Sequence, residues 1–279
     1  MGMRLGVAAV AVWMAMGAAP ALAQAPARPA VLDLWADGKA AFGVFVPDEN
    51  PAPRGPDRGP AVYTVAGGQA LAKNPLIDFV FLNLEGHYDR NAVMAISEGL
   101  GKRGTPGRKL MLVRIPPMTE DGPQVTLQRI KEILAMGADG VTLPHVENLD
   151  QARQAVSLFA DARVDVWSAS NPTGNTVAML MLEDPGAVAQ AAQIADVGGY
   201  SVLACGIGSL TGALKGDRAA AEKGNQEILA ETKRVRLVNM LTANAKDVQQ
   251  RVKEGFLALL MAGRDADEVI KLGRAAAGR

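Results

Sequence analysis

The alternation of short apolar runs with longer segments of helical spacing constrains the fold of this 279-residue chain more than any other feature. The pattern repeats about eight times. Several apolar runs are nearly continuous, as in residues 78–84 (DFVFLNL), which is typical of strands covered on both faces of a parallel sheet. The alternation predicts an α/β fold, specifically a (β/α)8 TIM barrel, and a doubly wound open sheet is the alternative.

We place the eight predicted strands at the apolar runs and the helices between them. The strands are residues 41–46, 78–84, 109–114, 140–143, 164–166, 177–182, 200–204 and 235–240. Two further helices are predicted at about residues 245–261 and 266–277, so an additional C-terminal helix follows the barrel. Residues 31–279 have the usual size of one barrel domain.

The N-terminal residues have the features of a secretory signal peptide. Arg4 precedes an apolar stretch at residues 5–16, and small residues stand at 21–23 (ALA). We therefore predict a signal peptide at residues 1–23, with an N-terminal membrane anchor as the alternative. A flexible tether at residues 24–30 follows, and the mature protein is expected to be periplasmic or secreted, away from the membrane.

The charge balance gives no indication of a nucleic-acid or membrane partner. The chain has 29 Lys and Arg residues and 29 Asp and Glu residues, which does not favour binding to nucleic acid or to an anionic membrane. Cys205 is the single cysteine, so no intrachain disulfide can form. It ends an apolar run, and we interpret it as a buried residue rather than a nucleophile.

Polar residues follow the predicted strands, and in a barrel the active site lies where the strands end. Glu85 and His87 follow the second strand and could supply a base and its partner, or belong to a solvated loop. Arg114 ends the third strand, where its planar guanidinium would clamp a carboxylate. A surface ion pair is the alternative for Arg114.

Two further positions are candidates for the wall of the pocket. His145 follows the fourth strand, at the start of the next predicted helix. It could cap that helix, contact the substrate or take part in catalysis. Trp167 follows the predicted fifth strand and could line the pocket.

The next two predicted strands end in residues that could bind a metal ion and a carboxylate. Glu183 ends an apolar strand, where an acid is costly unless it is paired or coordinates a metal. Gly206 and Gly208 lie in a turn after the next strand, with Ser209 beside them. The backbone amides of such a turn can bind a carboxylate.

Taken together, these segments resemble the HpcH/HpaI aldolase and citrate lyase family over about residues 32–259. The matching segments include residues 78–80 (DFV), 113–116 (VRIP), 137–141 (GADGV), 143–147 (LPHVE) and 181–184 (MLED). The resemblance implies a (β/α)8 barrel, often hexameric with a swapped C-terminal helix. It also implies class II aldolase chemistry on pyruvate-like donors with a divalent metal, Mg2+, Mn2+ or Co2+.

The resemblance also assigns roles to individual residues. Glu183 falls at the metal-binding Glu and Arg114 at the Arg that polarises the oxo group, while the turn from Gly206 to Gly208 falls where the substrate carboxylate is held. Ser209 stands where the family has its metal-binding Asp, and His87 lies one place after the family's His. A hydroxyl is a much poorer ligand than a carboxylate, so this exchange weakens Mg2+ or Mn2+ binding.

The resemblance therefore predicts a carbon–carbon lyase that cleaves a small 2-oxo or hydroxy carboxylic acid through a metal-stabilised enolate. Arg114 would stabilise the enolate, and His87 or Glu85 would transfer the proton. The alternative is a non-catalytic or metal-free member of the family that binds a small carboxylate at the barrel mouth. In either case we expect a homo-oligomer, a trimer or hexamer.

Overall fold

The computed structural model describes residues 2, 28–53 and 58–279. The predicted signal peptide, apart from Gly2, and residues 24–27 of the predicted tether lie outside the described residues. Within them, eight parallel strands form a closed barrel in which each strand pairs with the next and β8 pairs with β1. The predicted (β/α)8 barrel is therefore confirmed.

The strands are short and the helices lie between them around the barrel. The strands are β1 (Ala41–Phe45), β2 (Phe79–Asn83), β3 (Leu110–Arg114), β4 (Gly140–Leu143), β5 (Val177–Leu182), β6 (Val202–Cys205), β7 (Val238–Thr242) and β8 (Ala258–Met261). The helices are α1 (Ala30–Ala36), α2 (Val65–Lys73), α3 (Arg90–Leu100), α4 (Met118–Ala135), α5 (Leu149–Asp161), α6 (Pro185–Val188), α7 (Ala191–Ala195), α8 (Ile207–Ala213), α9 (Arg218–Val235), α10 (Val248–Glu254) and α11 (Ala266–Ala276).

Alternate residues of each strand face two separate apolar layers. In β2, Phe79 and Phe81 pack in the barrel interior, whereas Val80 and Leu82 pack between the sheet and its helices. Both layers are buried, which explains why the strand sequences are continuously apolar rather than alternating. The predicted C-terminal helix is α11, which contacts β1, β8 and α10.

Helix α1 packs across the amino-terminal end of the barrel. Trp35 donates a hydrogen bond from Nε1 to the Leu257 oxygen at 2.9 Å. Its ring lies 6.3 Å from that of Phe79 and 6.0 Å from that of Trp167, measured between centroids. Because α1 covers this end, the carboxyl ends of the strands form the mouth where loop residues can assemble a site.

Two predicted elements were wrong, and both errors come from short apolar runs. Residues 164–166 form no barrel strand; Val166 makes only an isolated bridge with Thr176. Residues 258–261, predicted as helix, form β8. The run at residues 256–261 (FLALLM) has neither period, so the sequence does not distinguish a buried helix from a buried strand. Glu183 consequently follows the fifth strand, not the sixth.

Within the same described ranges, no helix has both the length and the apolar character needed to cross a membrane.

Candidate active site

Four side chains meet at the carboxyl ends of β2 to β5. Glu85 follows β2, Arg114 ends β3, His145 follows β4 and Glu183 follows β5. Consecutive strands are neighbours in the barrel, so residues 29 to 69 positions apart in sequence are brought within hydrogen-bond distance. We call these four residues the mouth cluster.

Arg114 lies at the centre of the mouth cluster. Its Nη2 donates to Glu85 Oε1 at 2.5 Å and to Glu183 Oε2 at 2.9 Å, with Glu183 Oε1 at 3.2 Å. The residue is 9% exposed, and its Nε is buried without a hydrogen-bond partner in the part of the chain described. Arg114 is therefore a buried charge shared by two carboxylates, not a surface ion pair.

Glu183 is the most buried member of the cluster, with a side chain that is 1% exposed. A carboxylate at this depth is stable only when it is paired and hydrogen-bonded. Arg114 supplies the opposite charge, and the backbone N–H of His145 donates to Glu183 Oε2 at 3.2 Å. The neighbouring Asp184 has a different role, because its Oδ1 accepts a hydrogen bond from the Gly186 N–H at the start of α6.

His145 is a member of the cluster whose role the sequence left open. Its Nε2 lies 2.9 Å from Glu85 Oε1 and 3.6 Å from Glu183 Oε2. The backbone has φ of 51°, a left-handed conformation that is uncommon for a residue other than glycine. The sequence did place His145 just after the end of β4. The other three members of the mouth cluster likewise lie at or just after the ends of their strands.

His87 is not brought into the mouth cluster. It lies on the same β2–α3 loop as Glu85, but it is exposed and lines a separate cavity of about 220 Å³ with Tyr63, Asn83 and Asp89. The candidate base and its candidate partner from that loop therefore face different surroundings.

Trp167 lies at the opposite end of the barrel from Glu183. Because residues 164–166 are not a barrel strand, Trp167 precedes β5 rather than following a strand. It packs against Trp35 and lines a cavity of about 500 Å³ together with Lys233 and Leu257. The expectation that it lines the same pocket as Glu183 is corrected by this placement.

The turn after β6 lies next to Glu183. Gly206 donates its N–H to the Leu182 oxygen at 3.1 Å, which joins the ends of β5 and β6. Gly208 and Ser209 belong to α8 and are exposed. The assignment of these residues to a substrate carboxylate stays a prediction.

Cys205, the last residue of β6, is buried. Burial raises the pKa of its thiol to about 12, and the charges of Glu222 and Glu183 add to the shift. A thiol in this state is not a nucleophile near neutral pH.

The mouth cluster holds a set of atoms that could bind a metal ion. Oxygen atoms of Glu85 and Glu183 and a ring nitrogen of His145 all lie within 4.8 Å of one another. Carboxylates and imidazole are both common ligands of divalent first-row metals. The donor set therefore fits a divalent cation, although Ser209 does not contribute the acid expected from the resemblance.

Comparisons with known proteins give one family. The sequence model of the HpcH/HpaI aldolase/citrate lyase family matches residues 78–271. No curated protein matches the chain in sequence.

Solved structures share the fold at low sequence identity. An HpcH/HpaI aldolase/citrate lyase family protein from Burkholderia cenocepacia J2315 superposes with a TM-score of 0.65 at 16% identity, covering 89% of this chain and 97% of that one. The HpcH/HpaI aldolase from Desulfitobacterium hafniense DCB-2 gives 0.63 at 17% identity, with coverage of 86% and 92%. The citrate lyase beta subunit from M. tuberculosis, complexed with oxaloacetate and magnesium, gives 0.58 at 18% identity, with coverage of 88% and 100%.

Proposed function

The chain belongs to the HpcH/HpaI aldolase/citrate lyase family, and from this premise we propose that it is a carbon–carbon lyase acting on a small 2-oxo or hydroxy carboxylic acid. The family contains aldolases and citrate lyases, which break or form carbon–carbon bonds. The observation that carries the proposal is the buried guanidinium of Arg114, which Glu85 and Glu183 hold at the barrel mouth.

Arg114 is suited to stabilise an enolate. In retro-aldol cleavage the electron pair of the breaking carbon–carbon bond moves onto the donor fragment and collects as negative charge on its oxo oxygen. A guanidinium has five N–H donors, and the bonds made by Arg114 all come from Nη2, so donors remain for that oxygen. A charge already fixed by two carboxylates needs no reorganisation when the enolate forms.

We propose that His87 or Glu85, which share the β2–α3 loop, transfers the proton. The reaction removes a proton from the substrate hydroxyl as the aldehyde forms, and returns one to the enolate carbon. Glu85, the alternative, has Oε1 hydrogen-bonded to Arg114 and in contact with His145 Nε2. His87 is exposed on the same loop and can exchange protons with solvent, but it lines a cavity separate from the mouth cluster.

Glu183, Glu85 and His145 would hold a divalent metal, and the similar citrate lyase beta subunit from M. tuberculosis is complexed with magnesium. A divalent cation bound there would supply Lewis-acid polarisation of the 2-oxo group.

The experiment that tests the proposal is proton NMR of pyruvate in D2O with the purified protein, with and without Mg2+, Mn2+, Co2+ or Zn2+. Paramagnetic ions are removed before the spectrum is read. Enolate formation exchanges the methyl protons for deuterium, so we expect metal-dependent loss of the methyl signal. Arg114→Lys, which keeps the charge but loses the planar fork, should slow the exchange. Absence of exchange with every metal would reject pyruvate-type enolate chemistry.

A second candidate function is binding of a small carboxylate without catalysis. Ser209 favours it, because it replaces an acid at the metal position implied by the resemblance and is exposed in α8. Under this candidate, pyruvate binds without exchange of its methyl protons. Ser209→Asp should then tighten Mn2+ binding and bring exchange with it.

We also propose that the protein is exported to the periplasm or beyond the cell after cleavage at residue 23, and that it assembles as a trimer or hexamer. Cell fractionation with N-terminal sequencing tests the first proposal. Light scattering of the purified protein tests the second.

A further inference from the structure

The two carboxylates and the imidazole of the mouth cluster are arranged around a common point. Ligands at zinc bond lengths of about 2.0 Å stand roughly 3.3 Å apart in a tetrahedral shell. The separations of His145 Nε2 from Glu85 Oε1 and from Glu183 Oε2, 2.9 and 3.6 Å, lie on either side of that value. All three atoms lie within 4.8 Å of one another.

We propose that Glu85, His145 and Glu183 form a site for a divalent metal that accepts imidazole nitrogen, above all Zn2+. The site differs from the one that the sequence resemblance implies, where two carboxylates from the positions of Glu183 and Ser209 bind Mg2+ or Mn2+. The proposal deepens the lyase function and rests on it for the role of the metal, but binding itself is tested separately.

The choice of metal follows from the chemistry of the donors. Carboxylate and water ligands suit Mg2+ and Mn2+, whereas imidazole suits Zn2+ and the later first-row ions. A set of three protein ligands that leaves a coordination position open is typical of catalytic zinc sites. The exposure of the His145 side chain, 38%, leaves an open side for substrate.

The surroundings hold the three ligands in place before any ion binds. Arg114 Nη2 bonds to both carboxylates and leaves each of them further oxygen lone pairs for a metal. The N–H of His145 donates to Glu183 Oε2, which ties two of the ligands to each other. Outer hydrogen bonds of this kind orient metal ligands and raise affinity.

The backbone of His145 places both its side chain and its amide within the mouth cluster. Its φ of 51° is unfavourable for a side chain with a Cβ, and this conformation costs about 1 kcal/mol or more. The strained backbone conformation brings the imidazole to Glu85 and the amide to Glu183 at the same time.

The net negative charge of the mouth cluster favours the binding of a cation. Two carboxylates and one guanidinium leave a net charge of −1 when His145 is neutral, and among the described residues Arg114 is the only Lys or Arg in contact with them. This charge would repel a substrate carboxylate. A divalent cation held by Glu85, His145 and Glu183 would change the local charge to +1 and so favour binding of an anionic substrate.

The presence of only two histidines in the chain makes the test direct. The untagged protein is labelled with ¹⁵N in histidine, and long-range ¹H–¹⁵N spectra are recorded while Zn2+ is added. We expect one imidazole to shift at one equivalent of zinc and the other to stay unchanged. His87→Ala should leave the shifting signal in place, whereas His145→Ala should remove it.

Calorimetric titration with Zn2+ and Mg2+ supplies the affinities. We expect Zn2+ to bind more tightly than Mg2+, and His145→Ala and Glu85→Gln each to weaken zinc by roughly 100-fold or more. His87→Ala is the matched control and should change the zinc affinity less than twofold. Circular dichroism confirms that each variant is folded, and Glu85→Gln keeps the test valid if His145→Ala is unstable.

Three results would overturn the proposal: no shift of either imidazole, a zinc-dependent shift of His87 alone, or equal zinc affinity in the His145→Ala protein. The lyase function fails in a different way. Zinc binding at His145 without pyruvate exchange rejects the function and keeps the site, whereas Mg2+-dependent exchange without zinc binding rejects the site and keeps the function.

Discussion

Gly206 lies directly against the carboxylate of Glu183. A Cβ at position 206 would come within 2.2 Å of Glu183 Oε1 and 2.4 Å of its Cγ, closer than any unstrained contact. The φ of Gly206 is −78°, so its backbone conformation is open to any residue. The glycine is required here for space, and the missing side chain is what lets Glu183 reach the mouth cluster.

Gly206→Ala should therefore displace the Glu183 carboxylate without unfolding the barrel. We expect zinc affinity to fall by roughly 10-fold or more, because a buried ligand loses its position. Calorimetric titration measures the change. Gly208→Ala is the matched control: nothing lies within 4 Å of a Cβ there, so its zinc affinity should equal that of the parent protein. Equal affinities in both variants would mean that Glu183 does not bind the ion.

Arg114→Met should destabilise the protein in the presence of a chelator. Removal of the guanidinium leaves the Glu183 carboxylate, which is 1% exposed, as an unpaired buried charge. We expect the free energy of unfolding to fall by about 3 kcal/mol, measured by urea denaturation. Adding Glu183→Gln to this variant removes the charge and should restore part of the loss. If the double variant is no more stable than Arg114→Met, the unpaired charge is not the cause.

A buried ion pair at the amino-terminal end of the barrel should matter for stability alone. Asp139 is 1% exposed and pairs with Arg108 and with Arg103, and its Oδ2 also accepts the Met111 N–H at 2.9 Å. Asp139→Ala should lower the free energy of unfolding by about 4 kcal/mol. Its zinc affinity should not change, because the mouth cluster lies at the other end.

The control for Asp139 is an exposed Asp–Arg pair on α5. Asp150 has a side chain that is 91% exposed and contacts Arg153 at 3.2 Å. Asp150→Ala should change the free energy of unfolding by about 0.5 kcal/mol or less, because solvent screens the pair. Equal losses of unfolding free energy in Asp139→Ala and Asp150→Ala would show that burial is not the cause of the large effect at Asp139.

The Cys205 thiol should not react with disulfide reagents in the folded protein. Burial raises its pKa to about 12, so the reactive thiolate is scarce, and the atom is inaccessible. A colorimetric thiol assay should detect no thiol in the native protein at mildly alkaline pH and one thiol in denaturant. Rapid labelling of the native protein would show that β6 opens to solvent.

The raised pKa of Cys205 also gives a direction for stability against pH. The folded protein keeps the thiol proton, whereas the unfolded chain releases it above the ordinary value of 9.0. The contribution of this group is therefore complete below pH 9.0 and is lost as the pH rises towards 12. Cys205→Ala should lack this part of the pH dependence in urea denaturation.

The barrel was predictable because most of its strands can be recognised from their local sequence pattern. Runs such as residues 78–84 are apolar on both faces, and helical segments separate them regularly. The exceptions were runs too short or too uniform to show a period. Residues 258–261 became a strand because β7 and β1 each offer a free edge, which closes the barrel on both sides of β8.

The site was only partly predictable, because each site residue could be placed only as well as the strand before it. Glu85, Arg114 and Glu183 follow correctly assigned strands, so their meeting at one end of the barrel could be expected from chain order. Trp167 was placed after a strand that does not exist, which moved it to the wrong end.

The two histidines show which features the sequence determines and which the tertiary structure determines. The sequence by itself determined that both follow barrel strands at the mouth, because strand order fixes the end of the barrel on which a loop emerges. Only the tertiary structure decided that His145 joins the carboxylates while His87 faces a different cavity. The direction of a loop side chain depends on backbone angles and neighbouring strands, such as the φ of 51° at His145 and the space left by Gly206, and these are set by contacts between residues far apart in the chain.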